Sequence, residues 1–182
     1  MTEVMKEFIQ KNEGEKIIEI EIERLRSFKN HPFQVKDDKE MYLLKESIEK
    51  YGILNPLIVR PVPDGVYEII SGHRRDYCAK VVGLDTRPVI VRNYSDEDAD
   101  ILVVDYNINR ENLLPSEKAK AYKLKLDAMR RTAGRPAKNS LQNGENFRGR
   151  YSVQLLAEQA EDNVTAIQRY IRLTNLVPEL LD

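Results

Sequence analysis

The chain is most constrained at residues 67–83, where Tyr-Glu-Ile-Ile-Ser-Gly-His-Arg-Arg-Asp-Tyr-Cys-Ala-Lys-Val-Val-Gly changes its periodicity. A β-prone run from Tyr67 to Ile70 stops at Ser71-Gly72. A helical pattern follows, with apolar Cys78, Val81 and Val82, and Gly83 supplies a stop. Gly72 lets the backbone approach a ligand with no side chain between them. The opening N–H groups of the helix have no intrahelical partners and sit at the positive end of its dipole, so that end attracts anions. His73, Arg74 and Arg75 fall in this first turn, where cations oppose the dipole and cost stability unless an anion sits among them. From these residues alone a phosphate site and a solvated basic turn are both open.

The chain on either side reads as short elements of mixed type. Lys16 to Glu23 alternates, with Ile18, Ile20 and Ile22 on one face and acids on the other, which predicts a half-buried strand. Asn30 to Gln34 is a Pro-containing loop. Asp38 to Tyr51 is a helix with Met41, Leu44, Ile48 and Tyr51 on one stripe, ended by Gly52. Asn55 to Arg60 and Arg87 to Arg92 are strands, and Pro63-Asp64-Gly65 is a turn. Ser95-x-x-Asp98 is a capping box opening a helix to about Asn107. Pro115 suits the first position of a further helix, striped by Ala119, Tyr122, Leu126 and Met129. Residues 1–15 read as a frayed, polar start, and 132–150 as a flexible basic linker.

Three ordered stretches resemble the ParB family of DNA-partitioning proteins. Ser71-Gly72-His73-Arg74-Arg75 resembles the family's Gly-Glu-Arg-Arg box, and Asn55-Pro56-Leu57-Ile58-Val59-Arg60 its first nucleotide motif. Asn107-Ile108-Asn109-Arg110-Glu111-Asn112-Leu113-Leu114-Pro115-Ser116-Glu117-Lys118-Ala119 resembles its third, Glu-Asn-x-Gln-Arg-x-x-Leu-x-Pro-x-Glu-x-Ala. Asn30-His31-Pro32-Phe33-Gln34 matches the Asn-Pro-x-Gln-Pro-Arg segment in part, with Val35 and Lys36 where Pro and Arg are usual. The resemblance runs from about Ile18 to Asp182.

It implies an α+β fold: a ParB/sulfiredoxin-like nucleotide-binding domain with a small mixed sheet over residues 1–114, then an all-α DNA-binding domain over 115–182. It implies CTP and Mg²⁺ as ligands. The nucleotide would meet Gln34, Pro56, Leu57, Ser71, Gly72, His73, Arg74, Arg75, Asn107 and Arg110, with Asn107 also on the metal. Arg74 and Arg75 would act as charged clamps. The family's third motif begins with a Glu linked to Mg²⁺ and hydrolysis; here Tyr106 occupies that position. A phenol is a poor ligand for a hard cation and a poor base at neutral pH. Asp105, next to it, would project about 100° away on a helix. Nucleotide binding with at most weak CTPase activity is the expectation. His73 replaces the family's Glu in the second motif and makes the pocket more basic.

By length and pattern the last segment is an ordinary αα-hairpin with solvated polar residues or a helix-turn-helix at about 152–175; the basic stretch upstream and the resemblance, whose family carries such a domain in the same place, imply the second. Ser152 to Gln159 forms a first helix with Val153, Leu156 and Ala157 inward, and Ala160 to Asn163 the turn. Val164 to Asn175 forms the second, with Ile167, Ile171 and Leu173 inward. Thr165, Ala166, Gln168, Arg169 and Arg172 are left outward, where such a helix meets DNA. The whole-chain charge of −1 is silent about a polyanion, but Arg130–Arg150 carries six Arg/Lys against one acid, a nucleic-acid footprint.

The expected function is therefore a ParB-like partition protein that binds a centromere-like site in double-stranded DNA. Nucleotide would close its self-associating N-terminal domains into a clamp, and a ParA-type ATPase would be its partner. The motif variant looks most like the proteins of plasmids and integrative elements. The ending at Asp182 suggests a fragment or shortened form lacking the family's C-terminal dimerisation domain. A transcription or nucleoid-occlusion regulator with the same parts is the alternative. A sulfiredoxin would need Cys in the turn, but Gly72 precedes His73, and the single cysteine, Cys78, lies deeper in the helix at a packing position. A serine kinase of the same fold would have no use for the helix-turn-helix. One cysteine and two histidines also argue against a zinc site. With no apolar h-region and no run of about 18 apolar residues, a cytoplasmic, nucleoid-associated location is the default.

Overall fold

A computed structural model describes residues 16–29, 31–36, 38–110, 113–132, 153–160 and 162–176. The expected frayed start, residues 133–150 of the expected linker, Ser152 and Glu161 lie outside these residues, as do Asn30, Glu111 and Asn112 of the motifs; Thr132, placed in the linker, is the last residue of a helix. Packing divides the chain into two units, residues 1–28 with 35–93 and residues 29–34 with 94–182.

The first unit holds a mixed sheet of order β1-β5-β3-β4-β2. β1 (Ile17–Glu21) runs antiparallel to β5 (Thr86–Val91), which is parallel to β3 (Leu57–Val62). β3 forms a hairpin with β4 (Val66–Ser71) through Pro63–Gly65, and β2 (Leu25–Ser27) lies parallel to β4. Ile18 and Ile20 turn inward as their alternation predicts, but the strand ends at Glu21 and Ile22–Arg24 is a 3-10 turn. The sheet order explains this: β1 and β2 occupy opposite edges, so the chain must leave the ladder between them. The Ile22 N–H instead donates to the Asp85 carbonyl at 2.9 Å.

α1 (Lys39–Tyr51) starts where Asp38 accepts from the Met41 N–H at 2.8 Å and ends at Gly52, as the sequence predicts. Met41 and Ile48 pack with Cys78 and Ala79 of α2 (His73–Val82), and Ile53 joins this cluster to the sheet core of Ile20, Leu25, Leu57, Val59, Ile69 and Val89. Two expected core residues are corrected. Tyr51 is 60% exposed and Val81 is 50% exposed. Tyr51 lies in the last turn, about 60° round from Ile48, and Lys50 covers its ring at 5.0 Å from the centroid.

Gly72 carries the chain from β4 into α2. Its φ of 107° is left-handed, and a Cβ there would stand 2.8 Å from Leu57 Cγ. Leu57 is completely buried, so the clash would fall on the sheet core.

In the second unit α3 (Asp96–Asp105) begins at Ser95, whose hydroxyl accepts from the Asp98 N–H at 3.1 Å. α4 (Pro115–Thr132) follows, then helical residues 153–160 (α5) and α6 (Val164–Leu173). Tyr122 and Leu126 of α4 pack against Val153, Leu156, Ala157 and Ile167, with Met129 and Ile171 partly buried beside them. The motif-based division at 114/115 differs from the packing break at Asn93–Tyr94. Side chains of α3 bind α4: Lys125 pairs with Asp105, and Arg131 with Asp100 and Glu97. The loop 29–34 follows, because Phe33 is buried with Val104 and Ala121.

Two outcomes test this packing. Gly72→Ala must adopt a backbone conformation that L-residues rarely take and must displace Leu57; we expect a loss of about 1–3 kcal/mol in urea denaturation, with no change sinking the account of the turn. His31 is half-buried, its ring Nδ1 bonds the Phe33 carbonyl at 2.7 Å, and burial lowers its pKa. The unfolded chain therefore binds the proton more readily. Stability is present above about pH 6.5 and declines as pH falls from there toward the depressed folded value. His31→Gln should flatten that part of the stability profile, and an unchanged slope would refute the assignment.

Candidate nucleotide turn and candidate nucleic-acid helix

The turn between β4 and α2 has the local form of an anion cradle. Gly72 occupies the cap position with no side-chain cap, and the Asp76 N–H donates to its carbonyl at 2.9 Å. Ser71 closes β4 opposite Ile58, beside a register shift between Ile58 and Val59. A bulge there redirects the two residues next to the glycine.

The cations of the turn are held from within the chain, which corrects the view that they stand uncompensated without a ligand. Arg74 pairs with Asp38 at 2.9 Å and with Glu40 at 3.0 Å. Arg75 reaches back to the carbonyls of Asn55 and Pro56, the latter at 2.9 Å, and burial lowers its pKa. His73 accepts from the Phe28 N–H through Nε2 at 3.4 Å. Leu57 is completely buried, so its side chain belongs to the core and only its backbone could meet a ligand. Pro56 is half-buried and offers its carbonyl to Arg75.

Sequence reasoning missed the groups beneath and beside this turn. Asp76 is 3% exposed and holds Arg87, 0% exposed, at 3.3 Å, and Lys80 at 2.7 Å. Arg87 also donates to the carbonyls of Leu84 at 2.5 Å and Thr86 at 2.9 Å. The Asp76–Lys80 spacing of four was a readable signal. Nothing in the sequence marked Arg87, Asp38 or Glu40 as partners of this helix.

The remaining nucleotide candidates lie in the second unit. Gln34 is exposed, and its backbone N–H donates to the buried Glu117 carboxylate at 2.7 Å. Glu117 also accepts from the Leu114 N–H at 2.8 Å, a cap for α4 that was missed. Asn107 donates Nδ2 to the Val103 carbonyl at 2.8 Å, which leaves Oδ1 as the oxygen it can offer a cation. Arg110 is half-buried and Tyr106 is 38% exposed. Asp105 turns to Lys125, as its position one residue away predicts.

α6 presents the nucleic-acid candidates. Asn163 caps it, accepting from the Thr165 N–H at 2.7 Å, and the Tyr122 hydroxyl donates to Asp162 at 2.5 Å at the entry. Ile167 is fully buried, while Thr165, Gln168, Arg169 and Arg172 are exposed on one stripe and Ala166 is half-buried at its flank. Among the described residues no carboxylate pairs with Arg169 or Arg172. No helix among them is long and apolar enough to cross a membrane.

Known proteins are similar to this chain in sequence and fold. The chain is 44% identical to stage 0 sporulation protein J of Bacillus subtilis over 108 residues, 59% of this chain and 38% of that protein. It is 36% identical to a probable chromosome 1-partitioning protein ParB of Deinococcus radiodurans over 118 residues, 65% of this chain and 41% of that protein. The match thus spans about two-fifths of the length of these curated relatives. Among solved structures, C-terminally truncated ParB of Caulobacter crescentus complexed to the centromeric parS site superposes with a TM-score of 0.55 at 25% identity, covering 90% of this chain and 74% of that one. The ParB N-terminal domain model matches residues 6–108, more than half of the chain, and the protein therefore belongs to that family.

Proposed function

We propose that this chain is the nucleotide- and DNA-binding part of a ParB-type partition protein. It binds a centromere-like site in double-stranded DNA through α6 and is switched by CTP with Mg²⁺ into a clamp around DNA. The observation that carries the DNA half is the stripe of Thr165, Gln168, Arg169 and Arg172, which is exposed because Ile167 takes the buried side of α6. The α5–α6 pair is read as a helix-turn-helix, with α6 in the major groove. Thr165 and Gln168 address base edges, Arg169 and Arg172 phosphate or guanine, and Ala166 the flank of that contact. The family relative bound to parS supports this reading.

The nucleotide half rests on the turn at Gly72, where a φ of 107° carries β4 into the start of α2 with no side-chain cap, and Ser71, His73, Arg74 and Arg75 stand around it. Mg²⁺ takes oxygen ligands and would neutralise charge on the phosphate oxygens, with Asn107 Oδ1 as the protein oxygen. Gln34, Pro56, the Leu57 backbone and Arg110 complete the proposed contacts. Tyr106 supplies no carboxylate, so any turnover is slow. Coupling requires that nucleotide bind the closed clamp more tightly than the open form. Self-association through the N-terminal domain, a ParA-type ATPase partner and a cytoplasmic, nucleoid-associated location belong to the same proposal.

Two measurements test it. Isothermal titration with CTP, ATP, GTP and UTP in the presence of Mg²⁺ should favour CTP; equal affinities, or none, remove the cytidine assignment. With DNA recovered by selection from genomic fragments, Arg169→Ala should weaken binding by about 1–3 kcal/mol at its site if it reads a base, and uniformly across sequences if it meets phosphate. Unchanged DNA affinity would remove α6 from the interface.

A further inference from the structure

The pairing of Arg74 has a consequence for any anion entering the turn. Its guanidinium is bound to Asp38 and Glu40, both at the start of α1, and only 23% of the side chain is exposed. Asp38 Oδ1 serves twice, as the helix cap for the Met41 N–H at 2.8 Å and as the acceptor from Arg74 at 2.9 Å. The two carboxylates do not exhaust the cation, since its buried Nε finds no acceptor among the described residues. A phosphate arriving at Arg74 must therefore displace the carboxylates or sit beside them, and like charges at that range repel.

We propose that Asp38 and Glu40 are built-in counter-ions that compete with phosphate for Arg74 and so set the nucleotide affinity of the site. This rests on the cradle reading above. Without ligand they offset the cost of a cation at the opening turn of a helix. With ligand they act against it. Each pair is exposed on the carboxylate side, 45% for Asp38 and 73% for Glu40, so each is weak and can be exchanged for a multiply charged phosphate chain. Weak pairing gives a site that holds nucleotide reversibly, with Arg74 kept in place between occupancies.

The test is a mutant cycle read by isothermal titration with CTP and Mg²⁺. Glu40→Gln removes the charge alone, and Asp38→Ser removes it while keeping a good helix cap. Each should tighten binding about two- to fivefold, the range of an exposed ion pair. In an Arg74→Gln background, where binding is weaker, the same two changes should bring no gain. Glu49→Gln, farther along α1, controls for the general field and should leave affinity unchanged. If wild type binds and neither variant gains, or if both gain equally without Arg74, the competition is refuted while the cradle stands. If no protein in the set binds nucleotide, the cradle and the role of its counter-ions both fall.

Discussion

The left-handed turn at Gly72, seated on Leu57, is the constraint on which the first unit depends. Leu57 opens the central strand β3 and is completely buried, so its position is set by the sheet. A Cβ on Gly72 would meet it at 2.8 Å, so β4 can pass into α2 this close to β3 only through glycine. That close passage brings the first turn of α2 over the strand entry, where Arg75 can reach the carbonyls of Asn55 and Pro56. The chain conformation, the core and the candidate ligand turn thus share one contact.

Charge is arranged around this turn so that the ligand-free fold tolerates it. Two arginines in the first turn of a helix oppose its dipole. One is neutralised by carboxylates from α1 and the other by main-chain oxygens. Beneath them Asp76 and Arg87 form a buried pair completed by Lys80 and by carbonyls at the start of β5. A buried pair of this kind adds little net stability over an apolar contact, but losing one partner leaves a charge without compensation. It ties α2 to β5 and limits how the turn can shift. In the second unit α4 has the corresponding organising role. Tyr122 and Leu126 take up the apolar sides of α5 and α6 together, and α6 gives Ile167 to that contact, with Val164, Tyr170 and Ile171 partly buried beside it, leaving its polar stripe to solvent.

Local signals in the chain were sufficient wherever a feature depended on neighbours a few residues apart. Asp38 and Ser95 cap their helices, Gly52 and Gly83 end theirs, and Pro115 opens α4. The stripe of Ala119, Tyr122 and Leu126 is buried as its spacing implies, and so are Val153, Leu156, Ala157 and Ile167. Periodicity was less informative at element ends. Tyr51 and Val81 lie on apolar patterns but outside the contact area, because burial depends on where a partner helix stops.

Residue type and spacing were enough for most of the element order, though not for β2, and for the glycine between β4 and α2, the basic residues that follow it and the polar stripe of α6. Each is written in residue type and spacing, which act through backbone conformation and helical periodicity. Tertiary structure alone decided that β1 and β2 occupy opposite sheet edges, that Leu57 is core, and that Arg74 meets Asp38 and Glu40, residues more than thirty positions away. Pairing across such separations is fixed by which strands and helices pack together, and no local pattern encodes which carboxylate a given arginine will find.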